Sequence, residues 1–170
     1  MTHPNLTIVA AVGLDGEIGR AGGLPWPRIA ADMRRFRELT TARLVVAGRL
    51  TAASFPGGKL AGRTVCVLSR TLPMSGEPTL AIMRSLDDFM IYAGPGREVR
   101  AVGGVEVFRE ALPVASIFYL TRVLARYPDA DTYFPTWPFP AAGDGWRLIF
   151  TVSPRQAPGE PAIIMETYRK

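Results

Sequence analysis

The residue best placed to do chemistry in this sequence is an acid that shares a helix face with apolar side chains. Asp32 lies three residues after Ile29 and four before Phe36, a spacing that turns all three the same way. A carboxylate aimed at a core needs partners or carries a raised pKa, which suits acid–base work. The same acid could instead open its helix or pair with a nearby arginine. Just before it runs Asp15-Gly16-Glu17-Ile18-Gly19-Arg20-Ala21-Gly22-Gly23-Leu24-Pro25-Trp26. A glycine-rich loop of this length in a compact chain reads as a lid or binding loop.

Three further places suit an anion. Gly103-Gly104 follows an apolar run and precedes a helical pattern, so backbone can come close to a ligand there. It is not the six-residue dinucleotide fingerprint, because Val105 follows and no third glycine does. Gly48-Arg49-Leu50-Thr51 presents an arginine and a threonine at a helix start, and Ser69-Arg70 ends another apolar run. Any one of these could be a plain strand-to-helix turn. Three on one sheet make a dinucleotide plausible, since ligands of open α/β sheets gather at the carboxyl ends of strands.

The elements that must carry these residues are short. Leu6–Val12, Leu44–Ala47, Thr64–Leu68, Val99–Val102 and Ser116–Val123 read as strands, the apolar runs among them as strands covered on both faces. Arg147–Val152 and Ala162–Tyr168 read as a late antiparallel pair around a turn-rich stretch. Ile29, Met33, Phe36 and Leu39 form the apolar stripe of a helix, leaving Arg34, Arg35, Arg37 and Glu38 for other faces. Helices are also expected from Ser85-Leu86-Asp87-Asp88 and over Val105–Leu112. The alternation predicts a three-layer αβα sandwich in one domain, 1–170, on a mixed, mostly parallel sheet with an antiparallel C-terminal hairpin.

Composition narrows the chemistry. The chain has 170 residues, with 48% apolar and 21% charged residues, which suits one globular domain. Cys66 and His3 are the only cysteine and histidine, so an internal disulfide and catalysis by a buried histidine are excluded and a metal site is not expected. All but two of the 20 basic residues are arginine, scattered rather than clustered, which fits an anionic small ligand as well as nucleic acid. No apolar run approaches the roughly 18 residues of a membrane span and no signal peptide is visible, so a soluble, cytoplasmic protein is expected.

Taken in order, these segments resemble dihydrofolate reductase. Ile8 to Trp26 matches the family's first strand and lid through Leu24-Pro25-Trp26, and Ala30 to Thr40 matches its acidic helix. Gly48-Arg49-Leu50-Thr51, Leu60-Ala61-Gly62-Arg63, Val67-Leu68-Ser69-Arg70, Val102-Gly103-Gly104, Tyr119-Leu120-Thr121 and Asp131-Thr132-Tyr133-Phe134-Pro135 follow in family order. The resemblance implies reduction of 7,8-dihydrofolate to tetrahydrofolate with NADPH, and binding of antifolate inhibitors, by a monomer. Asp32 would hold the pterin 2-amino group and N3 and favour protonation at N5 through water, with Thr121 bonded to carboxylate and pterin. Leu24 and Trp26 join them in the catalytic set. Phe36 would lie against the pterin and benzoyl rings, Val9, Ala10 and Val102 would shape the pocket, and Met33, Arg37, Phe55 and Leu60 would complete it. Arg63 would pair with the substrate's α-carboxylate. For the cofactor, Arg49 and Thr51 would serve the pyrophosphate, Ser69 and Arg70 the 2′-phosphate, and Ile18 and Leu24 would close over the nicotinamide. Ala11, Gly19, Gly48, Leu50, Leu68, Val102, Gly103, Gly104, Val105, Glu106, Val107, Phe108 and Thr132 are implied beside it.

The chain departs from the family pattern at Leu50, Ala52, Val105, Glu106 and Phe108, all toward the cofactor, and Trp26 to Asp32 is one residue longer than in many bacterial members. An acid at position 106 would repel phosphate unless it points away. Two other readings stand beside this one: a same-fold reductase of a riboflavin-pathway pyrimidine, and a non-catalytic basic module for nucleic acid. The first generally lacks the acid followed by phenylalanine, and the second predicts clustered cations.

Overall fold

The computed structural model describes residues 3–73, 75–77 and 80–170, with His3, Pro4 and Ser75–Glu77 described by backbone alone. The side chain of His3 therefore lies outside the described residues. Strands are β1 (His3–Val12), β2 (Glu17–Gly19), β3 (Leu44–Gly48), β4 (Thr64–Leu68), β5 (Ser75–Glu77), β6 (Leu80–Met83), β7 (Val99–Ala101), β8 (Ala115–Val123), β9 (Thr132–Tyr133), β10 (Arg147–Val152) and β11 (Ile163–Arg169). Helices are α1 (Ala30–Thr40), α2 (Arg49–Ala53), α3 (Leu86–Ala93) and α4 (Val105–Ala111), with a 3-10 turn at Pro56–Gly58.

Nine strands form one sheet in the order β10-β11-β8-β1-β7-β3-β4-β6-β5. The six from β8 to β6 run parallel, while β11 pairs antiparallel with β8 and with β10, and β5 pairs antiparallel with β6. The expected mixed sheet and C-terminal hairpin are therefore present. Strand β6, Leu80-Ala81-Ile82-Met83, is as apolar as the run in β3 but is not among the strands expected from the sequence.

Alternation along the strands divides the core in two. Leu6, Ile8 and Val12 of β1, Val46 of β3, Cys66 of β4, Ala101 of β7 and Phe118 and Leu120 of β8 pack with α3 and α4. On the other face, Ile29 beside α1 packs with Val123, Ile163 and Met165, and Ala52 of α2 with Val45, Ala47, Val65 and Val67. Cys66 is fully buried, which pushes its thiol up to about 12 and leaves it an inert filler.

Helix α1 covers β1 and α2 covers β3 and β4. Between those strands lies β7. Strand β7 is thus flanked by α1 on one side and α2 on the other, where the chain's connections change direction. Arg100 of β7 is tied to α1, its Nε donating to Leu39 O at 2.9 Å. Capping agrees with the sequence at α3, where Ser85 accepts from Asp88 N at 3.1 Å.

Candidate active site

The lid is more ordered than a long loop. Within it, β2 pairs antiparallel with β9, so Glu17 faces Tyr133 and Gly19 faces Thr132. Glu17, only 2% exposed, acts as a staple: its carboxylate accepts from Asp15 N and Tyr127 N, both at 2.8 Å. Asp131 accepts from Ala21 N at 2.7 Å and from the Thr132 hydroxyl at 2.8 Å, and these bonds hold its carboxyl below the usual range. Gly19 and Thr132 thus meet each other: a Cβ at Gly19 would stand 2.9 Å from Thr132 Cβ. Surface pairs Arg20–Asp129 and Arg126–Asp15 add charge contacts on either side.

Asp32 sits in the first turn of α1, as its spacing required. Burial drives its carboxyl above the usual carboxylate value. A hydrogen bond with the Thr121 hydroxyl and the charge of Arg35 oppose that shift without cancelling it. Thr121 is itself buried, on the face of β8 that carries Val123 toward α1. Trp26 stands nearby in the same cluster, tilted against Tyr127 with ring centroids 5.5 Å apart. Its indole Nε1 is buried without a protein acceptor among the described residues. A buried donor of this kind calls for a water or a ligand atom.

The α1 stripe is rotated from the expected one. Met33 is 38% exposed, while Arg35, expected on another face, turns inward over the sheet. A long aliphatic stem lets arginine cover apolar surface and still reach acceptors, so apolar spacing alone cannot place it. Phe36 is half-buried on α1; Phe55, Leu60 and Val102 are half-buried against the cluster beneath α2. Val9 is buried on β1. Ala10 packs its side chain on the opposite, α4 face, so only its backbone can join the Asp32 side. Ala11 faces α1.

Arg63 donates from Nε to Ala61 O at 2.9 Å and from one terminal nitrogen to Thr40 Oγ1 at 3.0 Å. Its pKa is lowered first by burial and then by the neighbouring charge of Arg37. Neither arginine has an ion-pair partner among the described residues. Two like cations with no acid paired to them among the described residues leave a local positive charge able to meet an anion.

The three glycine- or serine-bearing strand ends come together, because β7, β3 and β4 are neighbours. Gly48 N donates to Gly103 O at 2.6 Å. Gly103 has φ +117°, open to glycine, and a Cβ there would lie 3.2 Å from Phe108 Cζ. A Cβ on Gly104 would lie 3.3 Å from Thr51 Oγ1, and one on Gly48 would lie 3.3 Å from Gly104 N. Val107 and Phe108, expected beside the cofactor, are core side chains beneath this double turn. Val105 is half-buried, whereas Arg49 and Leu50 are exposed at the start of α2. Glu106 is exposed and pairs with Arg109 one turn further along α4. Ile18 and Leu68 pack on the same α4 side, while Leu24 is 51% exposed on the lid.

Ser69 is buried, its hydroxyl accepting from Leu72 N at 3.1 Å and Thr71 N at 3.3 Å. Arg70 is exposed beside it. Arg84, which the sequence did not single out, donates to Ser69 O at 2.6 Å and Leu72 O at 2.7 Å and so fixes this loop. The exposed guanidiniums of Arg49 and Arg70, the Thr51 hydroxyl and a backbone cradle that crowds an added Cβ fit a phosphorylated dinucleotide.

The profile of the family described as dihydrofolate reductase matches residues 5–160. The chain belongs to the dihydrofolate reductase family. It is 36% identical to the dihydrofolate reductase of Mycobacterium leprae over 128 residues, covering 74% of this chain and 72% of that protein. It is 34% identical to that of Haemophilus influenzae over 137 residues, covering 76% of this chain and 78% of the relative. Among solved structures it is similar to dihydrofolate reductase from Enterococcus faecalis complexed with NADP(H) and RAB-propyl. That similarity has a TM-score of 0.82 at 29% identity and covers 96% of this chain and 95% of the other. The dihydrofolate reductase fold is thus established across nearly the whole length. No described helix is long and apolar enough to cross a membrane.

Proposed function

We propose that this chain reduces 7,8-dihydrofolate to 5,6,7,8-tetrahydrofolate with NADPH. The observation that carries the reading is the buried Asp32–Thr121 pair beside the orphaned Trp26 Nε1, in a family that performs this reaction. When bound, NADPH supplies the hydride. The chain's own part is binding, orientation and proton placement.

Asp32 accepts from the pterin 2-amino group and N3 and holds the ring in one orientation. Burial raises its pKa above that of an ordinary carboxyl, which supports a part in protonation at N5 through water. Trp26 Nε1 offers that water a donor. Phe36 on one wall and Val102, Phe55 and Leu60 on the other flank the benzoyl portion, and Arg63 with Arg37 takes the carboxylate tail. On the cofactor side, Arg49 and Thr51 serve the pyrophosphate. Arg70, with Ser69, recognises the 2′-phosphate. Ile18 and Leu24 move with the lid and exclude water during transfer.

The family resemblance supports action as a monomer built on one domain, 1–170. Small antifolates that mimic the pterin would use the same acid. Scattered cations support a small-molecule ligand over nucleic acid, and the family resemblance supports a cytoplasmic enzyme.

The test follows the loss of NADPH absorbance with dihydrofolate, beside NADH and beside the ribosylaminopyrimidine of the riboflavin pathway. Turnover with dihydrofolate and NADPH is expected, at least about tenfold faster than with NADH, since the 2′-phosphate has cations to meet. Turnover of the pyrimidine alone would overturn the substrate assignment.

A further inference from the structure

Arg35 is a cation in an unusual setting. Its guanidinium lies over the Tyr119 ring, 5.5 Å from the centroid, and points into the sheet instead of solvent. One terminal nitrogen donates to Leu120 O at 3.0 Å and to Thr121 Oγ1 at 3.4 Å. The other donates to Glu166 O at 2.9 Å. No carboxylate forms an ion pair with it among the described residues, and an apolar side chain could fill the same space without the desolvation cost of a charge. The carbonyls hold the guanidinium, and among acids its charge couples most strongly to Asp32.

We propose that Arg35 is a positioning residue for the pterin-holding pair: by donating to Thr121 Oγ1 it commits the threonine's proton to Asp32, and its charge keeps that carboxylate ready to accept. A hydroxyl has one proton and two lone pairs. With one lone pair taken by Arg35, the proton goes to the acid and the second lone pair is left for a ligand N–H. The inference rests on the dihydrofolate reading for its substrate, but not for its geometry.

The groups that face this pair are few. Asp32 meets Thr121 of β8 and Arg35 of its own helix. Arg35 in turn faces Tyr119 of β8 and Glu166 of β11. Glu166 is already engaged by Arg122 at 2.6 Å and by the Tyr168 hydroxyl at 2.9 Å, so it does not compete for Arg35. Burial lowers the Arg35 pKa, yet Asp32 is the largest influence restoring it, as a coupled pair requires.

The experiment reads the Asp32 carboxyl titration by carbon NMR in the ligand-free protein, assigned by its loss in Asp32→Asn. In Arg35→Gln the midpoint should rise by about half a pH unit or more. In Arg35→Lys, which restores the charge, most of that rise should vanish. With dihydrofolate, kcat/KM of Arg35→Gln should fall about tenfold while the KM for NADPH stays within about twofold. If Arg35→Gln does not fold, Arg35→Met carries the test, since it keeps an unbranched stem over the Tyr119 ring and removes the charge and the donors; its Asp32 midpoint should also rise. An unchanged midpoint in the folded variant overturns the inference. Absence of dihydrofolate turnover in the wild type would defeat the proposed function instead, and the titration would still judge Arg35.

Discussion

The two sides of the site are built on different principles. On the α1 side, chemistry resides in side chains: Asp32, Thr121, Trp26 and Arg35 project from a helix, a strand and the end of the lid into a partly dry space. On the α4 side the site is built of backbone: a Cβ added at Gly48, Gly103 or Gly104 would crowd a neighbour at 3.2–3.3 Å, and buried rings lie beneath them. The carboxyl end of β1 divides the two, sending Val9 and Ala11 one way and Ala10 the other. Side-chain chemistry fixes residue identity, whereas backbone recognition fixes conformation and tolerates neighbours. Of the five departures, Val105, Glu106 and Phe108 lie on α4 and Leu50 and Ala52 on α2, and none lies on α1 with Asp32.

That contrast can be broken or sharpened by substitution. The largest effect belongs to Asp32→Asn, which should lower turnover near neutral pH by about a thousandfold, with partial recovery in acid where substrate is protonated in solution. Initial rates across pH check it. Gly103→Ala should come next: the positive φ and the nearby Phe108 ring should cost about 1–3 kcal/mol and weaken NADPH binding more than folate binding. Denaturant melts and cofactor titration read both numbers. Arg63→Leu should raise the KM for dihydrofolate about tenfold and leave that for NADPH nearly alone; equal effects would mean the tail is held elsewhere. Lid contacts are weaker. Arg20→Ala removes one exposed pair and should change kcat by no more than about threefold, with added salt producing the same change in the wild type.

The smallest expected effect is thermal. Burial raises the Asp32 pKa, so its ionised form is disfavoured in the folded chain. Stability is therefore greatest below the ordinary carboxylate value and falls as pH rises through the raised folded value. Asp32→Asn removes this loss. Its Tm should exceed the wild type's by about 3 °C at neutral pH and match it below roughly pH 4. Calorimetry at the two pH values decides the sign.

Much of the frame was legible before any coordinates. Apolar runs such as Val45–Ala47 and Val65–Val67 have no polar side to hide, and the Ile29–Asp32–Phe36 spacing turned the acid inward by helix geometry alone. The strand ends with glycine or serine could be paired with an anion by residue type. What escaped were side chains that act on distant backbone. Arg84 on Ser69 O, Arg100 on Leu39 O and Arg35 on Leu120 O bridge 15, 61 and 85 residues of chain. Their periodicity assigns them to solvent because charge is read as exposure. Glu17 escaped for the same reason, being a buried acid whose partners are loop amides. The lid's β2–β9 pairing escaped because three residues and two cannot display a period.

The central claim is that Asp32 belongs to the folate half and to nothing else. Equilibrium titration of purified Asp32→Asn with folate and, separately, with NADPH tests it without relying on turnover. Folate affinity should drop at least about tenfold while NADPH affinity stays within about twofold of the wild type. Unchanged folate affinity, or a parallel loss for both ligands, would contradict the account.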